Sequence, residues 1–123
     1  MAKAAVTGDL TKGKLVAVIG DEDTVTGFLL AGVGQRDHSG SNFLIVDKDT
    51  RIQDMENAFK TFTSRNDVAI VLINQHVANN LRHLLNEYDS LVPVVLEIPS
   101  KDHPYDPDQD YIMQTVNRML GAP

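Results

Sequence analysis

Four short apolar runs, separated by segments whose apolar residues recur with a helical period, constrain this chain more than any other feature. The runs are Lys14–Ile19, Asn42–Asp47, Val68–Ile73 and Val92–Ile98. Each has the length of a strand, and an almost unbroken apolar run suits a strand buried on both faces of a parallel sheet. The intervening segments place Val25, Phe28, Leu29 and Ala31, then Ile52, Met55, Phe59 and Phe62, then Val77, Ala78, Leu81, Leu84, Leu85 and Tyr88 on successive helical faces. Strand and helix therefore alternate three times and close on a strand. That order argues for a parallel sheet with helices on both sides, and the right-handed crossover rule leaves few ways to arrange it.

Local signals refine the reading. Gly32 and Gly34 stop the first helix, and Gln35–Ser41 reads as a polar loop. Thr50 followed by Gln53 has the spacing of a capping box, Asp67 closes the turn before the third strand, and Asn74 is a plausible N-cap. Pro93 cannot donate a ladder hydrogen bond, which assigns the fourth strand to an edge. The expected fold is α/β, a four-stranded parallel sheet in order 2-1-3-4 of the flavodoxin or receiver kind, flanked by helices. Residues 1–13 read as a flexible leader, 14–98 as the sheet domain, 99–106 as a proline-containing joint and 107–120 as a C-terminal amphipathic helix. Pro99 and Pro104 in the joint block both strand and helix, whereas Pro107 suits the first turn of a new helix.

Composition excludes several functions. The 123 residues carry a net charge of −6 with no basic cluster, a poor match to phosphate backbones, so nucleic acid is not an expected partner. There is no cysteine, hence no disulfide framework and no thiolate chemistry. The longest apolar run, Val68–Ile73, is far too short to cross a bilayer, so direct membrane insertion is not expected.

Ligands of such a sheet bind at the carboxyl ends of the strands. Those ends offer Asp21, Glu22 and Asp23, then Asp47, Asn74, Glu97, Ser100 and Lys101. Three acids at the first strand–helix turn would repel a pyrophosphate, which argues against a dinucleotide or a flavin. A phosphorylated receiver domain needs a carboxylate at the end of its third strand; here that residue is Asn74, and an amide is not a nucleophile. An inactive, receiver-like protein-binding module is the alternative that survives, on fold analogy alone. Asp21, Glu22 and Asp23 read as helix-capping or docking acids, with a magnesium site completed by Glu97 as the less favoured reading. His38, His76, His83 and His103 have no zinc-site spacing, and Ser39, Ser41 and Ser100 lack a nucleophile-elbow pattern. No catalytic residue, metal or cofactor is expected.

The last segment has a different character. Ile112, Met113, Val116, Met119 and Leu120 form an apolar stripe, and Asp110, Gln114, Asn117 and Arg118 face the other way. Such a stripe can pack back on its own sheet or dock on another helix. Periodicity does not choose between the two.

Four stretches carry a resemblance: Ala17–Leu30, Asn42–Val46, Val71–Gln75 and, most specifically, Leu96–Asp106, which contains Glu-Ile-Pro-Ser-Lys-Asp-His-Pro-Tyr-Asp. Together they make the chain similar to the F-subunit family of eukaryotic vacuolar-type proton-pumping ATPases. The resemblance implies a non-catalytic part of the central rotor stalk in the peripheral, ATP-hydrolysing sector. It implies that the last helix docks on the D-subunit coiled coil through Ile112, Met113, Val116, Met119 and Leu120. It further implies association with the A/B hexamer and other stalk subunits, and a cytoplasmic location at the cytosolic face of vacuolar or other acidified endomembranes. The joint, with Pro99, Lys101, His103, Pro104 and Tyr105, would set the angle of that helix.

Overall fold

The computed structural model describes residues 15–33, 36–37 and 40–121; the expected leader and the loop histidine His38 lie outside them. Strand β1 (Leu15–Gly20) leads into helix α1 (Glu22–Leu30). Two short strands follow, β2 (Arg36–Asp37) and β3 (Gly40–Ser41), and then β4 (Phe43–Ile45) and α2 (Ile52–Ser64). Next come β5 (Val68–Asn74), α3 (Gln75–Ala78), a 3-10 turn (Asn79–Leu81) and α4 (Arg82–Glu87). Strand β6 (Val94–Ile98), a second 3-10 turn (Pro107–Gln109) and α5 (Tyr111–Met119) complete the chain.

The main sheet runs β4-β1-β5-β6, all parallel, which is the 2-1-3-4 order expected from the sequence. Its register aligns Val18 with Phe43 and Leu72, and Leu72 with Leu96. One face carries Ala17, Ile19, Val71, Ile73 and Val95 against Met55, Phe59 and Phe62 of α2 and Val77, Ala78, Leu81 and Leu85 of the α3–α4 segment. Phe59 meets Tyr88 edge to face, ring centroids 5.8 Å apart, a favoured aromatic geometry.

The opposite face is covered unevenly. Helix α1 buries Val25 and Val18 over the β1–β4 half. Over the β5–β6 half, Val94 and Leu96 remain 41% and 38% exposed, and among the described residues no helix lies on them. A four-stranded sheet is about 19 Å wide at a strand spacing of about 4.8 Å, room for two helices side by side. Among the described residues, one of the two places on this face has no helix.

Several local expectations change. The Gln35–Ser41 loop contains an antiparallel β2–β3 ribbon, Arg36 opposite Ser41 and Asp37 opposite Gly40. The second strand is shorter than Asn42–Asp47: Asn42 flanks it, its carbonyl accepting from Val18 N–H and its amide donating to the Val16 carbonyl, both at 3.1 Å, and Asp47 starts a turn. The Thr50–Gln53 capping box does not form. The Asp47 carboxylate engages Asp49 N–H at 2.8 Å and the Thr50 hydroxyl at 3.1 Å. Helix α2 then starts one residue later, with the Asp54 carboxylate accepting from Arg51 N–H at 3.4 Å. Ile52, expected on the buried face, is half exposed in that first turn. The third helix breaks at Asn79-Asn80, two residues of low helix propensity. Pro93 precedes β6 rather than lying within it; β6 is an edge strand nonetheless. The last helix is likewise two elements, with Pro107 opening the 3-10 turn and α5 starting at Tyr111.

Glycine ends α1. Gly32 has φ +89, and its N–H and that of Val33 return to the carbonyls of Leu29 and Phe28 at 3.0 and 2.7 Å, a closure that needs a left-handed residue. Gly121, φ +76, follows α5, its N–H bonded to the Arg118 carbonyl at 3.1 Å.

Candidate functional site

Helix α5 and the residues leading to it form the candidate site, built at the carboxyl ends of β1, β5 and β6. Its anchor is Glu97, whose side chain is wholly buried on the inner face of β6. A buried carboxylate is costly unless paired and hydrogen-bonded, and this one accepts from every side. Arg82 of α4 grips it with two nitrogens, Nη1 to Oε2 at 2.6 Å and Nη2 to Oε1 at 2.9 Å. Gln75 of α3 donates to Oε1 at 3.2 Å, and Tyr111 N–H, at the start of α5, donates to Oε2 at 3.1 Å. Three helices thus converge on one side chain. The break between α3 and α4 serves this convergence, since Asn79 at the break accepts from Arg82 Nη2 at 2.8 Å.

Gln75 also holds the far end of the joint. Its amide accepts from Asp106 N–H at 2.6 Å and donates to the Asp106 carbonyl at 2.7 Å, pairing with the backbone as a strand neighbour would. The near end is held by Asn74. Its Oδ1 accepts from Asp21 N–H at 2.8 Å, and its Nδ2 donates to the Pro99 carbonyl at 3.2 Å and to Thr24 Oγ1 at 3.3 Å. Asn74 is the N-cap residue of α3 by position but makes no side-chain cap bond; its amide is committed to the joint and to α1. Gly20 permits this, because a Cβ there would stand 2.5 Å from Asn74 Oδ1 and 3.1 Å from Cγ. Gly20→Ala is therefore expected to displace the Asn74 amide and cost about 1–3 kcal/mol in urea denaturation. An unchanged midpoint would show that Asn74 yields freely.

The acids after β1 separate in role. Asp21 caps α1, accepting from Thr24 N–H at 2.8 Å. Burial pushes its carboxyl up, but the Thr24 hydrogen bonds and the nearby His76 and His103 outweigh burial and hold it below the usual value. Glu22 occupies the first turn. Asp23 reaches Lys101 Nζ at 2.7 Å, with both side chains well exposed, and this contact raises the lysine pKa. Beside the pair, Gly27, Phe28, Ala31, Ile98 and Pro99 line an apolar groove of about 620 Å³. Among the described residues, no group of three or more His, Asp or Glu side chains could hold a metal ion.

Within the joint, Ser100 and His103 exchange backbone bonds at 3.0 and 3.3 Å, closing a tight turn. Tyr105 donates its hydroxyl to Asp110, a bond that, followed by burial, pushes the phenol up to about 12. Asp110, itself buried, caps α5 by accepting from Ile112 N–H at 2.9 Å. Tyr111 packs against the core cluster, and its hydroxyl donates to the Val95 carbonyl at 3.4 Å; burial pushes this phenol up to about 12 as well. The base of α5 is therefore fixed. Beyond half-buried Ile112 its apolar residues are exposed: Met113 and Val116 each 38%, Met119 79% and Leu120 77%. The stripe read from the sequence is one exposed face of a helix with a rigid root. Glu97 was legible there as a strand-end acid and as the less favoured completion of a magnesium site, and Gln75 and Arg82 were not singled out as its supports.

The family model for the ATP synthase (F/14-kDa) subunit matches residues 16–116. The F-subunit of the V-type proton ATPase of Dictyostelium discoideum is 56% identical over 117 residues, spanning 94% of this chain and 98% of that protein. The chain belongs to the V-type ATPase F-subunit family. Its human member is 51% identical over 112 residues, 90% of this chain and 94% of the relative. The crystal structure of the V-type ATP synthase F-subunit from Archaeoglobus fulgidus superposes with TM-score 0.52 at 26% identity, over 70% of this chain and 98% of that one. The family match covers the sheet, the joint and α5 as far as Val116. Among the described residues, no helix is long and apolar enough to cross a membrane.

Proposed function

We propose that this chain is a non-catalytic component of the peripheral sector of a V-type ATPase, paired with the coiled-coil D-subunit in the central rotor stalk. In that position it couples ATP hydrolysis at the A/B hexamer to proton transport, at the cytosolic face of vacuolar or other acidified membranes. Family membership supplies the complex; the observation that carries the partner is the apolar stripe of Met113, Val116, Met119 and Leu120, exposed, with Ile112 half-buried at its base, on a helix whose root is locked to the sheet. Apolar residues at i, i+4 and i+8 are the anchors of a helix that lies against another helix. The two methionines supply the adaptable surface that such a contact uses. A fixed root matters to a rotor component, because docking then loses little conformational entropy and the sheet domain follows the shaft.

Purification of the full chain with the D-subunit tests this reading. The parent chain is expected to elute as a stable pair. Val116→Asp is expected to weaken the pair by about 2 kcal/mol, roughly 30-fold in Kd, while circular dichroism of the free chain stays unchanged because Val116 lies outside the core. Full retention of pairing by the variant would remove α5 as the docking element.

A further inference from the structure

One contact between the joint and the body is made by two titratable rings. His76, in α3, and His103, in the Ser100–His103 turn, stack with centroids 4.1 Å apart and planes inclined by 21°. They border a cleft of about 370 Å³ whose wall also includes Gln75, Asn79, Asp102 and Tyr105. His76 Nδ1 is shut off from solvent and has no hydrogen-bond partner, so a proton placed there would be poorly solvated.

The charges around the pair are unequal in effect. Asp21, at the cap of α1, and Asp102, beside His103 in the joint, favour a positive charge on His76; burial and His103 oppose it. The opposition wins, and the His76 imidazole is held below its ordinary value of 6.5, by burial first and His103 second. Asp106 and Tyr105 complete the ionisable groups of the cleft. Two neutral imidazoles stack favourably, and one proton is tolerated beside two carboxylates. Two imidazolium rings at this separation repel, across a contact that water does not fully screen.

We infer that the His76–His103 stack is a proton-sensitive latch that holds the middle of the joint to the body and opens when the second ring is protonated. The sign follows from linkage. A histidine whose value is lower in the closed state than in the open one stabilises the closed state above the ordinary value. That stability is lost as pH falls from there through the closed-state value. The Arg82–Glu97 pair involves neither ring. Asn74 and Gln75 keep their hold on Pro99 and Asp106. The motion is confined to residues 100–105, between those two staples.

The test uses the full chain and amide exchange corrected for intrinsic rates. Protection at the Ser100 and His103 amides is expected to fall about threefold or more between roughly pH 7.5 and pH 5.5, with the β5 amides unaffected. His103→Phe keeps an aromatic ring at the exposed position but cannot take the second charge, and is expected to shrink the fall to the part that burial of His76 contributes. A His38→Gln, His83→Gln double variant should retain it; His83 lies apart, paired with Glu56 at 2.9 Å. Equal protection at both pH values in the parent, or a fall in His103→Phe matching that of the parent, would overturn the latch.

Discussion

Replacing Glu97 with alanine is expected to lower the free energy of unfolding by about 3 kcal/mol, at the lower end of the cost of breaking a buried ion pair. The lower end applies because the Arg82 side chain is 24% exposed and water can solvate part of the guanidinium once its partner is gone. Gln75 and the Tyr111 N–H lose an acceptor in the same step. Urea denaturation would show a shifted midpoint with an unchanged slope, and Tm would fall by roughly 10 °C for a chain of this size. Glu97→Gln has a single accepting oxygen, keeps at most two of the four hydrogen bonds and loses the charge, and should also be less stable than the parent. Amide exchange at Tyr111 should quicken more than exchange in β5, since the start of α5 is bonded directly to the lost carboxylate. A loss below about 1 kcal/mol for the alanine variant would mean that the convergence on Glu97 is geometric only.

The second large effect is expected at Asn74. Asn74→Leu keeps the branched skeleton but leaves the Asp21 N–H and the Pro99 carbonyl without their partner, and removes the bond to Thr24. Unsatisfied groups in partly buried positions should together cost about 2–3 kcal/mol. Asn74→Asp makes the result more specific. A carboxylate can still accept from Asp21 N–H, but it cannot donate to the Pro99 carbonyl and brings a second negative charge against Asp21. Both variants should loosen Pro99 and the turn that follows it, visible as faster exchange at Ser100. Stability of Asn74→Leu equal to the parent would transfer the hold on the joint to Gln75 and Glu97 alone.

The sheet was legible because its signals are local and repeated. Runs such as Val68–Ile73 and stripes such as Met55, Phe59 and Phe62 report burial directly, and the crossover rule converts their order into a topology. Boundaries were less legible where a polar side chain had two competing uses. Thr50 had the spacing of a helix cap, but Asp47 three residues earlier takes its hydroxyl. Asn79-Asn80 interrupts a stripe whose apolar period runs straight through. The joint was recognisable as a stretch, whereas its supports were not, because Asn74–Pro99, Gln75–Asp106 and Arg82–Glu97 join residues far apart in the sequence. One clue was present. Glu97 follows Val95 by two positions in an apolar strand, so period-two alternation puts a carboxylate on the core face, where it needs a cation. Arg82 is the arginine on the preceding helical segment. The exposure of the α5 stripe could not be read at all, since the periodicity of an apolar face is the same whether a sheet or a partner covers it.

The exposure of the β5–β6 half of the sheet bears on supply rather than mechanism. Among the described residues, Val94 and Leu96 are exposed on an edge strand, with Leu91 and Val92 exposed just before it, the combination that favours unwanted strand addition. Such a chain tolerates only a modest free concentration. Covering that surface is expected to raise the concentration at which the chain stays dispersed, and light scattering of the free chain against concentration would read it.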